Sequence, residues 1–165
     1  MKTATLLATL ALATATAAKA ESITRTPIPQ STFPIAVAVG VPASARTVYL
    51  SGVLPAVADP KARPGTPAVF GDTATQTRSV LEQLQARLRQ EGMTLADVVQ
   101  MRVFLVGDPR RRGTMDFDGL MAAYGRHFGT PEQPNKPART VVQVAALPEP
   151  GALVEIDVVA ATLPR

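Results

Sequence analysis

At 165 residues, with 17 basic and 13 acidic side chains, a net charge of +4, one histidine and no cysteine, the chain suits one domain of roughly 100–200 residues. The missing cysteines exclude a disulfide-built scaffold and thiol chemistry. So small a basic excess, with aromatic residues only 4% of the chain, argues against a nucleic-acid surface.

Met1-Lys2 is a short basic start, residues 4–18 are an apolar run of Ala, Leu and Thr, and Ala18-Lys19-Ala20 has the small-residue spacing of a cleavage site. This pattern predicts a secretory signal over residues 1–20 and a periplasmic or secreted mature chain. The run falls short of the roughly 20 strongly apolar residues of a membrane span, so no membrane association is expected once the signal is removed.

Residues 21–34 are rich in Pro, Thr and Ser without periodicity, which predicts an extended or disordered lead-in to a single domain over 35–165. Two β-rich runs, 35–39 and 47–50, are separated by Gly40 and Pro42, and the spacing predicts a hairpin with a loose connection. Prolines 55, 60, 64 and 67 then mark the segment 55–70 as a long loop, of the kind that forms a lid or rim. Asp72 or Thr73 can cap a helix whose positions Thr77, Val80, Leu81, Leu84 and Leu88 share one face, and Gly92 stops it.

Residues 98–106 (VVQMRVFLV) read as a central strand. Arg110-Arg111-Arg112 has no interleaved aromatics and reads as a solvated loop rather than an RNA or phosphate contact. A second helix opens at Asp116-Phe117, carries Leu120, Met121, Tyr124 and Phe128 on one side, and closes near Gly129; His127, near its end, reads as a packed residue. A proline-punctuated loop, 129–137, leads to Arg139 at the mouth of a strand over 139–147. The last strand, 152–163, holds Glu155 and Asp157 among apolar residues.

The order is β-β-α-β-α-β-β, an α+β fold with a mixed sheet and two helices on one of its faces. Both alternations of the last two strands are apolar, which one layer of helices cannot cover. Oligomerisation through the sheets follows.

Tyr49-Leu50-Ser51-Gly52, Gly71 followed five residues later by Gln76, the Phe104 strand, the Tyr124/Phe128 helix, Pro137-Ala138-Arg139, Ala146-Leu147-Pro148 and Val154-Glu155-Ile156 together resemble the RidA (YjgF) family. The likeness runs from about Val48 to Ala161. It implies a chorismate-mutase-like subunit assembled as a homotrimer with clefts between subunits. It also implies hydrolysis of reactive enamines and imines, such as 2-aminoacrylate, to 2-keto acids and ammonia, with no metal and no organic cofactor.

By the same resemblance, Arg139 falls on the arginine that clamps the substrate carboxylate, a task its planar fork suits and a lysine does not. Glu155 falls on the glutamate that places or activates water, and the Thr140 carbonyl can hold the same water. Ser51 and Gly52 keep the family's substrate-binding motif. Ile35, Val53 and Met121 stand where the family commonly has Tyr, Gln and Asn, which implies a drier substrate wall. Asp157 reads as structural.

Two other readings compete: a non-catalytic module of the same fold that holds a small carboxylate, and a nuclease. The second finds little support in a chain with one histidine and no acidic metal cluster in sequence.

Overall fold

The structure, a computed structural model, describes residues 21–164; the proposed export signal lies outside the described residues. Helix α1 (Thr73–Gln90) begins where the Asp72 carboxylate accepts a hydrogen bond from the Thr75 amide at 2.8 Å, and this bond holds the Asp72 carboxyl below its usual pKa. It ends before Gly92, whose φ of 70° is the left-handed turn that glycine accepts without strain. Its buried face, Val80, Leu81, Leu84 and Leu88, is the periodic set.

Six strands make one mixed sheet: β1 (Thr24–Pro27), β2 (Ala36–Gly40), β3 (Arg46–Val53), β4 (Val98–Val106), β5 (Ala138–Val144) and β6 (Val154–Thr162), in the order β1-β2-β5-β4-β6-β3. Helix α2 (Phe117–Tyr124) lies between β4 and β5 in sequence. β4 runs parallel to β5, while β3 and β4 are both antiparallel to β6. The connections β3-α1-β4 and β4-α2-β5 therefore join parallel strands and step the same way across the sheet. Crossovers of one hand stepping one way put both helices on the same face.

That face holds the core. Met101, Val103 and Leu105 of β4, with Val154, Ile156 and Val158 of β6, pack under α1 and α2. Among the described residues nothing covers the opposite face of the single chain, and Tyr49 is 77%, Val37 60% and Val142 40% exposed. Among the described residues no helix is long and apolar enough to cross a membrane.

Three expectations are corrected. The lead-in is not merely unpaired chain, because β1 pairs antiparallel with β2. The Arg25 guanidinium anchors β1 by donating to the carbonyls of Ala96 at 3.1 Å and Val98 at 3.3 Å. β2 and β3 do not form a hairpin: β2 pairs with β1 and β5, and β3 with β6 at the far edge. The 41–45 link contains Pro42 and lacks the two-residue turn chemistry that would force local pairing. Helix α2 gives way at Gly125 to single turns, in which the amides of His127 and Phe128 both donate to the Tyr124 carbonyl.

Candidate functional site

Arg139 is the second residue of β5 and the register partner of Met101, whose side chain is wholly buried, so it points to the helix side of the sheet. There the guanidinium carbon stands 4.2 Å from the centre of the Tyr124 ring, 5.6 Å from that of Phe33 and 6.0 Å from that of Phe117. Both terminal nitrogens lie 3.4 Å from the Met121 sulfur. The Arg139 Nε is buried without an acceptor, and no ion pair among the described residues includes Arg139. Burial lowers the guanidinium's pKa, against an opposing effect of Tyr124, yet an arginine keeps its charge in proteins.

The surroundings are fixed from several elements. The Tyr124 hydroxyl donates to the Pro34 carbonyl at 2.8 Å, and its ring stacks on Phe128 with centroids 4.6 Å apart. Burial raises the Tyr124 pKa well above the usual phenol value despite the nearby Arg139 charge, so the ring stays neutral. Lys136 donates to the Phe33 carbonyl at 3.3 Å, which ties the lead-in to the loop before β5. That loop is held by Gln133 donating to the His127 carbonyl at 2.9 Å and Asn135 donating to the Ala96 carbonyl at 3.0 Å.

Glu155 occupies the other side of the sheet. Its register partner is Phe104, which pairs in turn with the exposed Val142. Between Leu50 and Val53 the pairing of β3 with β6 is irregular, and Ser51 and Gly52 are exposed at that bulge. A Cβ on Gly52 would collide with the Glu155 carboxylate, so the glycine makes room for the acid. Thr140 is exposed on this side, with Arg102 as its register partner. Asp157 pairs with Arg102 at 2.9 Å, a cross-strand ion pair that accounts for the acid structurally.

The candidate residues therefore lie on two faces of the sheet, with Arg139 and Met121 on the helix side and Ser51, Gly52, Thr140 and Glu155 on the open side. Ile35 is partly buried and packs against the core beside Phe33-Pro34. Val53 cannot line a pocket: it is 1% exposed and belongs to the core. Phe33, Phe117 and Lys136 were not singled out as site residues by sequence reasoning.

Two arginines of the 110–112 cluster are engaged within their own region. Arg110 pairs with Asp108 and Arg111 with Asp116, each at 2.8 Å. The Arg110 hydrogen bond is the main reason the Asp108 pKa is depressed. Two of the three clustered arginines are thus neutralised within their own loop. His127 lines a small groove with Arg78 and Arg126, where burial lowers its pKa against the opposing charge of Glu82.

Residues 27–162 match the family model described as Endoribonuclease L-PSP. The chain is also 35% identical over 113 residues to a RutC family protein of Haemophilus influenzae, covering 68% of this chain and 77% of that one. The chain belongs to the RidA (YjgF) family. Another relative, the 3-aminoacrylate deaminase RutC of Acinetobacter baylyi, is 37% identical over 113 residues, covering 68% of this chain and 77% of its own, so deamination is an activity within the RidA family. The crystal structure of a Rid family protein of unknown function from Yersinia pestis superposes with a TM-score of 0.60 at 28% identity, covering 79% of this chain and 89% of that one. The mixed sheet with two helices is thus the RidA fold.

Proposed function

We propose that the protein is a hydrolytic deaminase of reactive enamines or imines that bear a carboxylate, such as 2-aminoacrylate and its imine tautomer, giving a 2-keto acid and ammonia. The observation that carries this reading is the Arg139 guanidinium, half-buried against aromatic rings with no carboxylate among the described residues paired to it. A buried, unpaired cation is costly, and an incoming carboxylate meets its fork with two charge-assisted hydrogen bonds.

The chemistry then needs a water and a proton acceptor. With the substrate carboxylate on Arg139, water held by Glu155 and the Thr140 carbonyl attacks C2 of the imine, and Glu155 takes its proton. Glu155 passes that proton to the imine nitrogen, giving a carbinolamine; the carbinol O–H proton then goes to the nitrogen as the C–N bond breaks, so that ammonia leaves and a C=O replaces the C=N. Water and imine go in, keto acid and ammonia come out, and no redox step occurs.

Because Arg139 and Glu155 lie on opposite faces of one chain's sheet, the working site is composite, with Arg139 from one subunit and Ser51, Gly52 and Glu155 from its neighbour. A homotrimer closed through the open sheet faces supplies that arrangement. Residues 1–20 serve as the export signal, so the mature protein starts at Glu21, which mass spectrometry of the secreted or periplasmic form reads directly.

The test is ammonia release from 2-aminoacrylate generated in situ. Acceleration over buffer at micromolar protein, abolished by Arg139→Ala, is expected. No acceleration sinks the reading for that substrate, and tight binding of 2-keto acids without turnover would assign the protein instead as a carboxylate-binding module.

A further inference from the structure

The surroundings of Arg139 carry information about what is attached to the carboxylate. The groups placed against the guanidinium are Phe33, Phe117, Tyr124 and Met121, and the acceptor that faces both of its terminal nitrogens is the Met121 sulfur. Tyr124 is wholly buried and forms the floor. Phe33, at 36% exposed, and the partly exposed Phe117 and Met121 form the rim that reaches solvent.

Resting on the deaminase reading above, we propose that this apolar collar selects 2-imino acids with bulky apolar side chains, leucine-like or phenylalanine-like, over those with a methyl or a polar group, and that Met121 is the specificity-determining residue. In the free subunit the Met121 sulfur sits against both terminal nitrogens of the fork, 3.4 Å from each. A thioether is a weak acceptor, so any carboxylate displaces it with gain. The displaced side chain is unbranched and flexible, and it comes to rest against whatever fills the rim.

A methyl leaves the thioether and the edges of Phe33 and Phe117 facing water. A branched or aromatic substituent covers them. A hydroxyl or carboxamide would enter an apolar collar that offers it no partner, and its desolvation would go uncompensated.

The experiment releases imines from leucine, phenylalanine and alanine with an L-amino acid oxidase, catalase present, and reads surviving imine by semicarbazide trapping. The expected kcat/KM is at least about 10-fold higher for the leucine and phenylalanine imines than for the alanine imine. Met121→Gln, which keeps the length and adds a polar amide, raises KM for the two bulky imines with little change in kcat and brings the ratio within about 3-fold. Phe33→Ser, in the lead-in rather than the core, narrows it through an independent wall.

An alanine imine hydrolysed as fast as the others overturns the collar and leaves the deaminase reading standing. A ratio unmoved by Met121→Gln overturns the role of that residue. If no imine is turned over, the deaminase reading falls, and titration decides the collar separately. Binding of 4-methyl-2-oxopentanoate about 10-fold tighter than pyruvate supports the collar, and equal binding overturns it.

Discussion

In the proposed reading a single side chain, Arg139, sets stability against function. Its guanidinium is held among three aromatic rings with its Nε unpaired, an arrangement that costs free energy until an anion arrives. Arg139→Met, which fills similar volume without charge, is expected to keep or raise the urea midpoint. The same change should cost ligand binding or kcat/KM about 2–5 kcal/mol, roughly 30-fold to several thousandfold. A parallel loss of folding and activity would mean that the arginine is there for packing.

His127 permits a second test at this scale. Burial depresses its pKa, so the folded protein takes up the imidazole proton at lower pH than the unfolded chain does. The stability it contributes is complete above the ordinary imidazole value of about 6.5 and is lost as pH falls through that value towards the lower folded one. Urea midpoints should therefore decline between pH 7.5 and pH 5.0, and His127→Gln should flatten the decline. Arg139 and Glu155 stand out in the sequence because a charge at the mouth of or inside an apolar strand is unusual, whereas Met121 is singled out only by the family resemblance. Val53 was misplaced because the bulge at Ser51-Gly52 shifts the alternation and turns it inward, and no local signal marks a bulge whose glycine has an ordinary φ. Phe33 was hidden in an aperiodic lead-in, where no pattern announces a wall.

Among the elements, α1 does more than cover the sheet. Gln76, wholly buried on it, donates to the Gly71 carbonyl at 2.9 Å and accepts from the Leu153 amide at 2.7 Å. It thereby joins the end of the long 55–70 loop to the start of β6. The loop itself rests on the β5–β6 turn, where a Cβ on Gly151 would come 2.5 Å from the Thr66 carbonyl oxygen. Gln76→Leu fits the space but removes the partner of three backbone groups, the carbonyls of Gly71 and Gly151 and the Leu153 amide, each worth about 1–3 kcal/mol when buried without a partner. Equilibrium unfolding in urea should show that loss, and an unchanged midpoint would mean that water replaces the amide. The helices and the five strands β2 to β6 were readable from period, caps and breakers, since these signals are local. The pairing was less readable: β1 depends on Arg25 reaching Ala96 and Val98 across about seventy residues, and the parallel contact of β2 with β5 is equally remote in sequence.

At the scale of the whole molecule, the sheet's two faces explain the doubly apolar strands. Helices cover one, and Val37, Tyr49 and Val142 are left exposed on the other. If that face closes a trimer with composite sites, light scattering on protein starting at Glu21 should give three times the subunit mass, and Tyr49→Asp should lower it. A sharper consequence concerns mixing. Arg139→Ala and Glu155→Gln subunits are each inactive alone, since every site in either homotrimer lacks one group. Unfolded together in equal amounts and refolded, they assort at random, and about one site in four receives Arg139 from one subunit and Glu155 from its neighbour. Activity near a quarter of the wild-type level is therefore expected from the mixture. A site built within one chain predicts none, because no chain in the mixture carries both groups, and that outcome would require Arg139 and Glu155 to act without meeting across an interface.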